Sequence, residues 1–349
     1  MQQPEWSSSG PPAQPVRGPG TRLIILAVLG LVLVLAAFYV PIPVFYAYLP
    51  GPVRDVEQLV DVGSTESYSS EGSLLLTTVS VDPQVTLAEV IKSSFDESTA
   101  IVMKEEVTGG QSLDELIEAQ KVEMRRSKQA AQEVALAALG LARPTGDGAR
   151  VIETADNAPA DGLLIEGDII VSVEGQPVAT TCEVGRVIGS YEPGRELTIG
   201  LKRDGEKRTL DVGTIQDPND PDSAIIGVFM DDVNRSFDPG FDVTFDTGKI
   251  GGPSGGLMMT LALYDQLTPE DLTGGRKVAG TGTIGCDGGV GPIGGVEQKV
   301  AGAEEEGAEI FLAPAGNAAA AERVADEIEV VAVATFDDAL DYLEGLPSG

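Results

Sequence analysis

Gly248-Lys249-Ile250-Gly251-Gly252-Pro253-Ser254-Gly255-Gly256 runs straight into Leu257-Met258-Met259-Thr260-Leu261-Ala262-Leu263-Tyr264. Leu257, Leu261 and Tyr264 recur at helical spacing with Met258 beside them, so a helix begins here and Ser254 stands at its start. A serine in that place is commonly an N-cap whose hydroxyl satisfies an orphan amide. Capping does not call for glycine on every side. Small residues leave room for a substrate backbone to come close, and amides near a helix start can stabilise a developing oxyanion. The segment therefore reads as a candidate nucleophile, Ser254, with Gly252, Pro253 and Gly255 as the surrounding backbone.

A nucleophilic serine needs a base, and the composition narrows the choice. The 349 residues contain no histidine, which excludes Ser-His-Asp and Cys-His chemistry as well as HExxH and Cys₂His₂ zinc sites. A second glycine-rich stretch, Gly280 to Gly295, leads into Val296-Glu297-Gln298-Lys299-Val300-Ala301-Gly302-Ala303. Val296, Val300 and Ala303 form the apolar stripe of that helix, and Lys299 lies at its edge. Three and four residues from Lys299 stand Gly295, Val296, Gly302 and Ala303, with no carboxylate among them. A lysine desolvated by such neighbours loses basicity and offers a free amine near neutral pH, enough to deprotonate a serine. A lysine whose stem covers apolar surface while its head reaches water fits the same local pattern.

Between Gly148 and Val212 the period changes to two. Strands are expected at Ala149–Thr154, Ile169–Val173, Glu196–Lys202 and Glu206–Val212, the last pair turning at Asp204-Gly205, where φ > 0 is needed. One helix lies between them, with Thr180 and Glu183 as a capping box and Val184, Val187 and Ile188 on one face. Ala160-Asp161-Gly162-Leu163-Leu164-Ile165-Glu166-Gly167-Asp168-Ile169-Ile170, followed by Val173-Glu174-Gly175-Gln176-Pro177-Val178, resembles a PDZ domain of the bacterial protease type. The resemblance implies that an extended peptide end adds to the sheet edge beside the 181–190 helix, with Leu139-Gly140-Leu141 as the candidate carboxylate-binding loop. A packing module with a closed groove is the alternative. Gly167-Asp168-Ile169-Ile170-Val171 is also similar to type I signal peptidases, but their Ser-Met-x-Pro segment does not occur after Val53.

Gly252-Pro253-Ser254-Gly255-Gly256 and Pro292-Ile293-Gly294-Gly295-Val296-Glu297-Gln298-Lys299 together resemble the serine and lysine motifs of the Lon-type proteolytic domain, over about residues 225–345. The resemblance implies a Ser-Lys dyad of Ser254 and Lys299, supported by the Thr281 hydroxyl, with no metal and no cofactor. One departure is Gly251, where many ATP-dependent relatives carry an acidic residue. No GxxxxGK[ST] phosphate loop occurs, so the ATPase ring of Lon is absent from this chain.

Residues 1–21, mostly Pro, Gly, Ser and Gln, read as a disordered cytoplasmic tail. Residues 22–48 are expected to form one transmembrane anchor: Leu23 to Val40 is almost wholly aliphatic, and Tyr39, Phe45, Tyr46 and Tyr48 fall where an interfacial belt belongs. Arg17 and Arg22 before the span favour a cytoplasmic N-terminus and an extracytoplasmic body; a cleaved signal peptide is the alternative. Residues 54–145 read as a strand and helices packing on the body, 146–215 as the PDZ-like domain, and 222–346 as the Lon-type α/β domain. The fold class is thus α+β multidomain behind a single transmembrane helix. Asp plus Glu number 55 against 23 Lys plus Arg, a net charge of −32, which argues against a nucleic-acid partner. Cys182 and Cys286 give no CxxC pair, and one bridge between them is left open. These features describe an ATP-independent, membrane-tethered serine endopeptidase acting on peptide or unfolded protein substrates, with a homo-oligomer expected because Lon-type domains commonly form rings. The alternative is a non-catalytic PDZ adaptor.

Overall fold

The computed structural model describes residues 19–218, 220–248 and 250–347. Most of the expected tail therefore lies outside the described residues. Helix α1 (Pro19–Tyr39) is apolar and unburied, with a mean hydropathy of 2.6 over Arg22–Tyr39, long and apolar enough to cross a membrane. It stops before Pro41 and Pro43, which cannot continue it. The apolar helix ends at Tyr39, short of the expected 22–48 segment, and Phe45, Tyr46 and Tyr48 lie in a strand.

That strand is β1 (Phe45–Pro50), followed by β2 (Arg54–Asp55), β3 (Val60–Asp61), β4 (Ser73–Leu76), β5 (Val79–Asp82), α2 (Leu87–Ser93), β6 (Ala100–Met103), α3 (Lys104–Thr108) and the long α4 (Leu113–Ala138). A β-rich stretch comes next: β7 (Ala149–Thr154), β8 (Ile169–Val173), β9 (Gln176–Pro177), α5 (Thr181–Gly189), β10 (Glu196–Arg203), β11 (Glu206–Gly213), β12 (Ile215–Asp217), β13 (Asp220–Ile225) and β14 (Val228–Asp232). The last part holds β15 (Thr244–Phe245), α6 (Gly256–Gln266), β16 (Lys277–Gly280), β17 (Thr283–Ile284), β18 (Val290–Gly291), α7 (Val296–Glu305), β19 (Ile310–Pro314), α8 (Ala318–Val324), β20 (Glu329–Val333) and α9 (Phe336–Glu344).

The middle sheet runs β11-β10-β8-β7-β14, with β9 on β8. Asp204 and Gly205, both at positive φ, make the expected two-residue turn between β10 and β11. Val184, Val187 and Ile188 of α5 are buried against Ile170, Leu197, Ile199 and Leu201. The α5 cap differs from the expected box: Thr180 Oγ1 accepts from Glu183 N, but the Glu183 carboxylate accepts from Ala179 N. Asp168, buried, receives two hydrogen bonds from Arg203, at 2.7 and 2.6 Å, which fix the Gly167-Asp168 corner.

The second sheet, β2-β4-β16-β19-β20, is parallel except for β2. Its side chains alternate between two cores. Leu74, Leu76, Val278 and Leu312 face α4, α6 and α9, whereas Leu75, Ala279, Phe311 and Ala313 face α7 and α8. Two of the five strands come from residues 54–76, so the segment expected only to pack on the body builds the α/β sheet itself. A separate three-stranded sheet, β5-β1-β6, stands beside it.

Several contacts lock the two folded parts together. Arg235, just past β14, pairs with Glu133 of α4 and, at 3.0 Å, with Asp232. Cys182 of α5 and Cys286, between β17 and β18, form a disulfide with Cα atoms 6.0 Å apart and a sequence separation of 104. Closing so long a loop restricts the unfolded chain, which polymer arguments put at up to about 4.7 kcal/mol and which is typically worth roughly 2–4 kcal/mol. Cys182→Ser should therefore lower stability by about that amount in thermal unfolding, and reductant should shift the wild type toward the variant while leaving the variant unmoved.

Candidate active site

Ser254 and Lys299 arrive from opposite faces of the parallel sheet, on the approaches to α6 and within α7. They meet beyond the carboxyl ends of β4 and β16, where open parallel sheets place their crevices. Both line one cleft of about 820 Å³, together with Gly252, Gly255, Gly251 and Gly294. Tyr48 of β1 with Val79 and Val81 of β5 also line it.

The α6 N-cap is Gly255, and no side chain caps that helix. Ser254 therefore does not play the capping role common at this position. Its main chain is clamped instead: Ser254 O accepts from Gly282 N at 2.8 Å and from Thr281 Oγ1 at 3.0 Å. Two of the glycines have local reasons, one conformational and one of space. Gly252 holds φ +81, and a Cβ at Gly255 would come 2.7 Å from Leu76. A Cβ at Gly251 would lie 3.2 Å from the tip of the Gln120 side chain. Pro253 has no N–H to offer an oxyanion; it borders a second cavity, of about 610 Å³, on the α4 side.

Lys299 is 3% exposed, and its Nζ donates to Thr281 Oγ1 at 2.7 Å. Burial pushes its pKa down to about 8. Its place in the first turns of α7, near the positive end of the helix dipole, acts in the same direction. Gly295, the α7 N-cap at φ +69, makes the close approach possible: a Cβ there would lie 2.7 Å from Val79. Lysine, threonine and the serine main chain thus form one hydrogen-bonded series, Nζ to Thr281 Oγ1 to Ser254 O. The surface-snorkelling alternative for Lys299 does not match this burial.

A family model of the PDZ domain matches residues 119–214, and one of the Lon protease C-terminal proteolytic domain matches residues 246–344. The chain carries a PDZ domain and a Lon proteolytic domain. Lon protease 2 of Bacillus subtilis is 39% identical over 96 residues, 27% of this chain and 17% of that protein. A probable periplasmic serine endoprotease, DegP-like, of Ectopseudomonas mendocina is 35% identical over 74 residues, 21% of this chain and 15% of that protein. The matched stretches thus span only 17% and 15% of these relatives' lengths. The PDZ domain of an SdrC-like protein from Listeria monocytogenes aligns over 25% of this chain and 90% of its own, at 25% identity and a TM-score of 0.23.

The PDZ groove differs from its expected form at one point. Leu141 N and Ala142 N both donate to Leu136 O, at 2.9 and 3.3 Å, so Leu139-Gly140-Leu141 is spent on closing α4. The outermost strand on the α5 side is β14, and the turn that enters it is Ile226-Gly227-Val228, with Gly227 at φ +75. Sequence reasoning missed this turn because it lies beyond the four periodic strands. It also missed Ser127 and Gln120 of α4, which hydrogen-bond Pro253 O and Gly252 N. A serine amid a helical run near alanines was the available signal, and it is a weak one.

Proposed function

We propose that the chain is an ATP-independent serine endopeptidase in which Ser254 is the nucleophile and Lys299 the general base. The observation that carries this reading is the buried lysine held at 2.7 Å on Thr281 Oγ1, itself 3.0 Å from Ser254 O. As Ser254 Oγ bonds to a peptide carbonyl carbon, Lys299 Nζ takes the hydroxyl proton. The oxyanion forms beside the start of α6, whose dipole favours negative charge. Collapse breaks the C–N bond, Lys299 returns the proton to the leaving amine, and an ester remains on Ser254. Water then attacks that ester with Lys299 again as base, releasing the acid and restoring the serine. Thr281 holds Nζ in place throughout.

In this reading α1 spans the membrane, and the body lies on the exterior side, in keeping with Arg22 before the span and with a disulfide, which persists in oxidising compartments. The PDZ domain receives a chain end as an added strand on β14, its carboxylate at the Ile226-Gly227-Val228 amides. Immobilised peptides with free C-termini should bind the full-length protein at least about tenfold more tightly than the same peptides amidated. Equal binding would remove the chain-end reading. The catalytic proposal is tested by incubating detergent-solubilised full-length protein with fluorescein-casein in the absence of nucleotide: cleavage unchanged by added ATP is expected. Peptide binding without any cleavage would favour the adaptor.

A further inference from the structure

We propose that Ser127, in the middle of α4, is a positioning residue for the turn that presents Ser254. This rests on the reading of Ser254 as nucleophile. Ser127 lies outside the stretch matched to the Lon domain, and inside the stretch matched to PDZ, yet its helix packs behind α6. A mid-helix serine normally faces solvent or bonds back to its own helix. Ser127 does neither: it is 4% exposed, and its hydroxyl donates to Pro253 O at 3.0 Å, across 126 residues of sequence.

The consequence follows from peptide geometry. Pro253 C=O and Ser254 N–H belong to one rigid plane, so fixing the oxygen fixes the direction in which Ser254 leaves the turn. Gly256 N supplies the second hydrogen bond to the same oxygen, at 3.1 Å. Thr281 and Gly282 fix the following plane through Ser254 O. With both flanking planes held, side-chain rotation is the main freedom left to Ser254. Two turns earlier Gln120 O accepts from Gly252 N at 3.3 Å, and the seven-residue spacing puts Gln120 and Ser127 on one face of α4. The fit is close: a Cβ at Gly256 would fall 2.8 Å from Ser127 Oγ. Nucleophile placement to within a fraction of an ångström decides rate, so a loosened turn slows chemistry without weakening binding.

The test compares full-length wild type, Ser127→Ala and Ser127→Thr for fluorescein-casein turnover, thermal unfolding, and the rate at which a β-lactone acylates Ser254. Ser127→Ala is expected to lower kcat and the acylation rate about tenfold, with KM within about twofold and an unfolding midpoint close to wild type. Ser127→Thr, which keeps the hydroxyl and has the adjacent cavity of about 610 Å³ for its methyl, should recover most of the rate. Wild-type kcat in Ser127→Ala, or equal impairment in both variants, overturns the positioning role alone. Absence of acylation at Ser254 in the wild type overturns the nucleophile reading and this inference with it.

Discussion

Alanine at Ser254 is expected to reduce fluorescein-casein turnover by a thousandfold or more while leaving the fold intact. Loss of a nucleophile that works as a unit with its base removes nearly all the chemistry, and the remainder reflects only binding and the oxyanion environment. The fold should tolerate the change, because the Ser254 side chain does not cap α6. The contacts that hold the turn are made by main-chain oxygens of Pro253 and Ser254, which alanine retains. Intact thermal unfolding and undiminished PDZ peptide binding, together with lost turnover, would separate catalysis from architecture. Turnover that survives in purified Ser254→Ala protein would contradict the assignment.

Lys299→Met is expected to abolish turnover to a similar extent and at the same time to stabilise the protein. The lysine is 3% exposed and its pKa is pushed down to about 8 from 10.5 by burial. The native state then holds fewer protons than the unfolded state between about pH 8 and 10.5. Stability of the wild type rises with pH across that window, and below it the full cost of burying the ammonium applies. At about 1.4 kcal/mol per pKa unit, that cost is on the order of 3 kcal/mol at pH 7. Methionine has nearly the same shape and carries no charge, so it escapes the cost. Urea unfolding at pH 7 and pH 10 should show Lys299→Met ahead by up to about 3 kcal/mol at the lower pH and nearly level at the higher. A variant less stable than wild type at pH 7 would mean that Lys299 is held by favourable charge interactions and is no poised base. The same shift gives the rate its pH dependence: the free-amine fraction, and turnover with it, should rise through an inflection near pH 8.

Much of this was legible along the chain because the features are local. Gly252 to Gly256 leading into an apolar helix, and Lys299 among glycine, valine and alanine, mark the two halves of the site within a few residues each. The Asp204-Gly205 hairpin and the α5 face were readable for the same reason. What could not be read depends on contacts between distant segments. Nothing in Leu74-Leu75-Leu76 says that it pairs in parallel with β16, and a lone Ser127 carries no sign that Pro253 is its partner. Tyr48 was placed in the membrane interface because the run from Leu23 to Val53 lacks charge, yet the prolines end the helix early and β1 carries Tyr48 into the cleft wall. Leu139-Gly140-Leu141 has the residue types of a carboxylate-binding loop, whereas the α4 carbonyls claim its amides, a contact no local pattern signals.

The central claim is that a lysine lowered to a pKa near 8 by burial activates Ser254. The most direct test acylates the full-length protein with a β-lactone across pH 6 to 10 and locates the adduct by peptide mass spectrometry. Modification of Ser254 alone, at a rate that rises through pH 8 in the wild type and is lost in Lys299→Met, is the expected result. Modification of Ser254 at the same rate in Lys299→Met, or none in well-folded wild type, would contradict it.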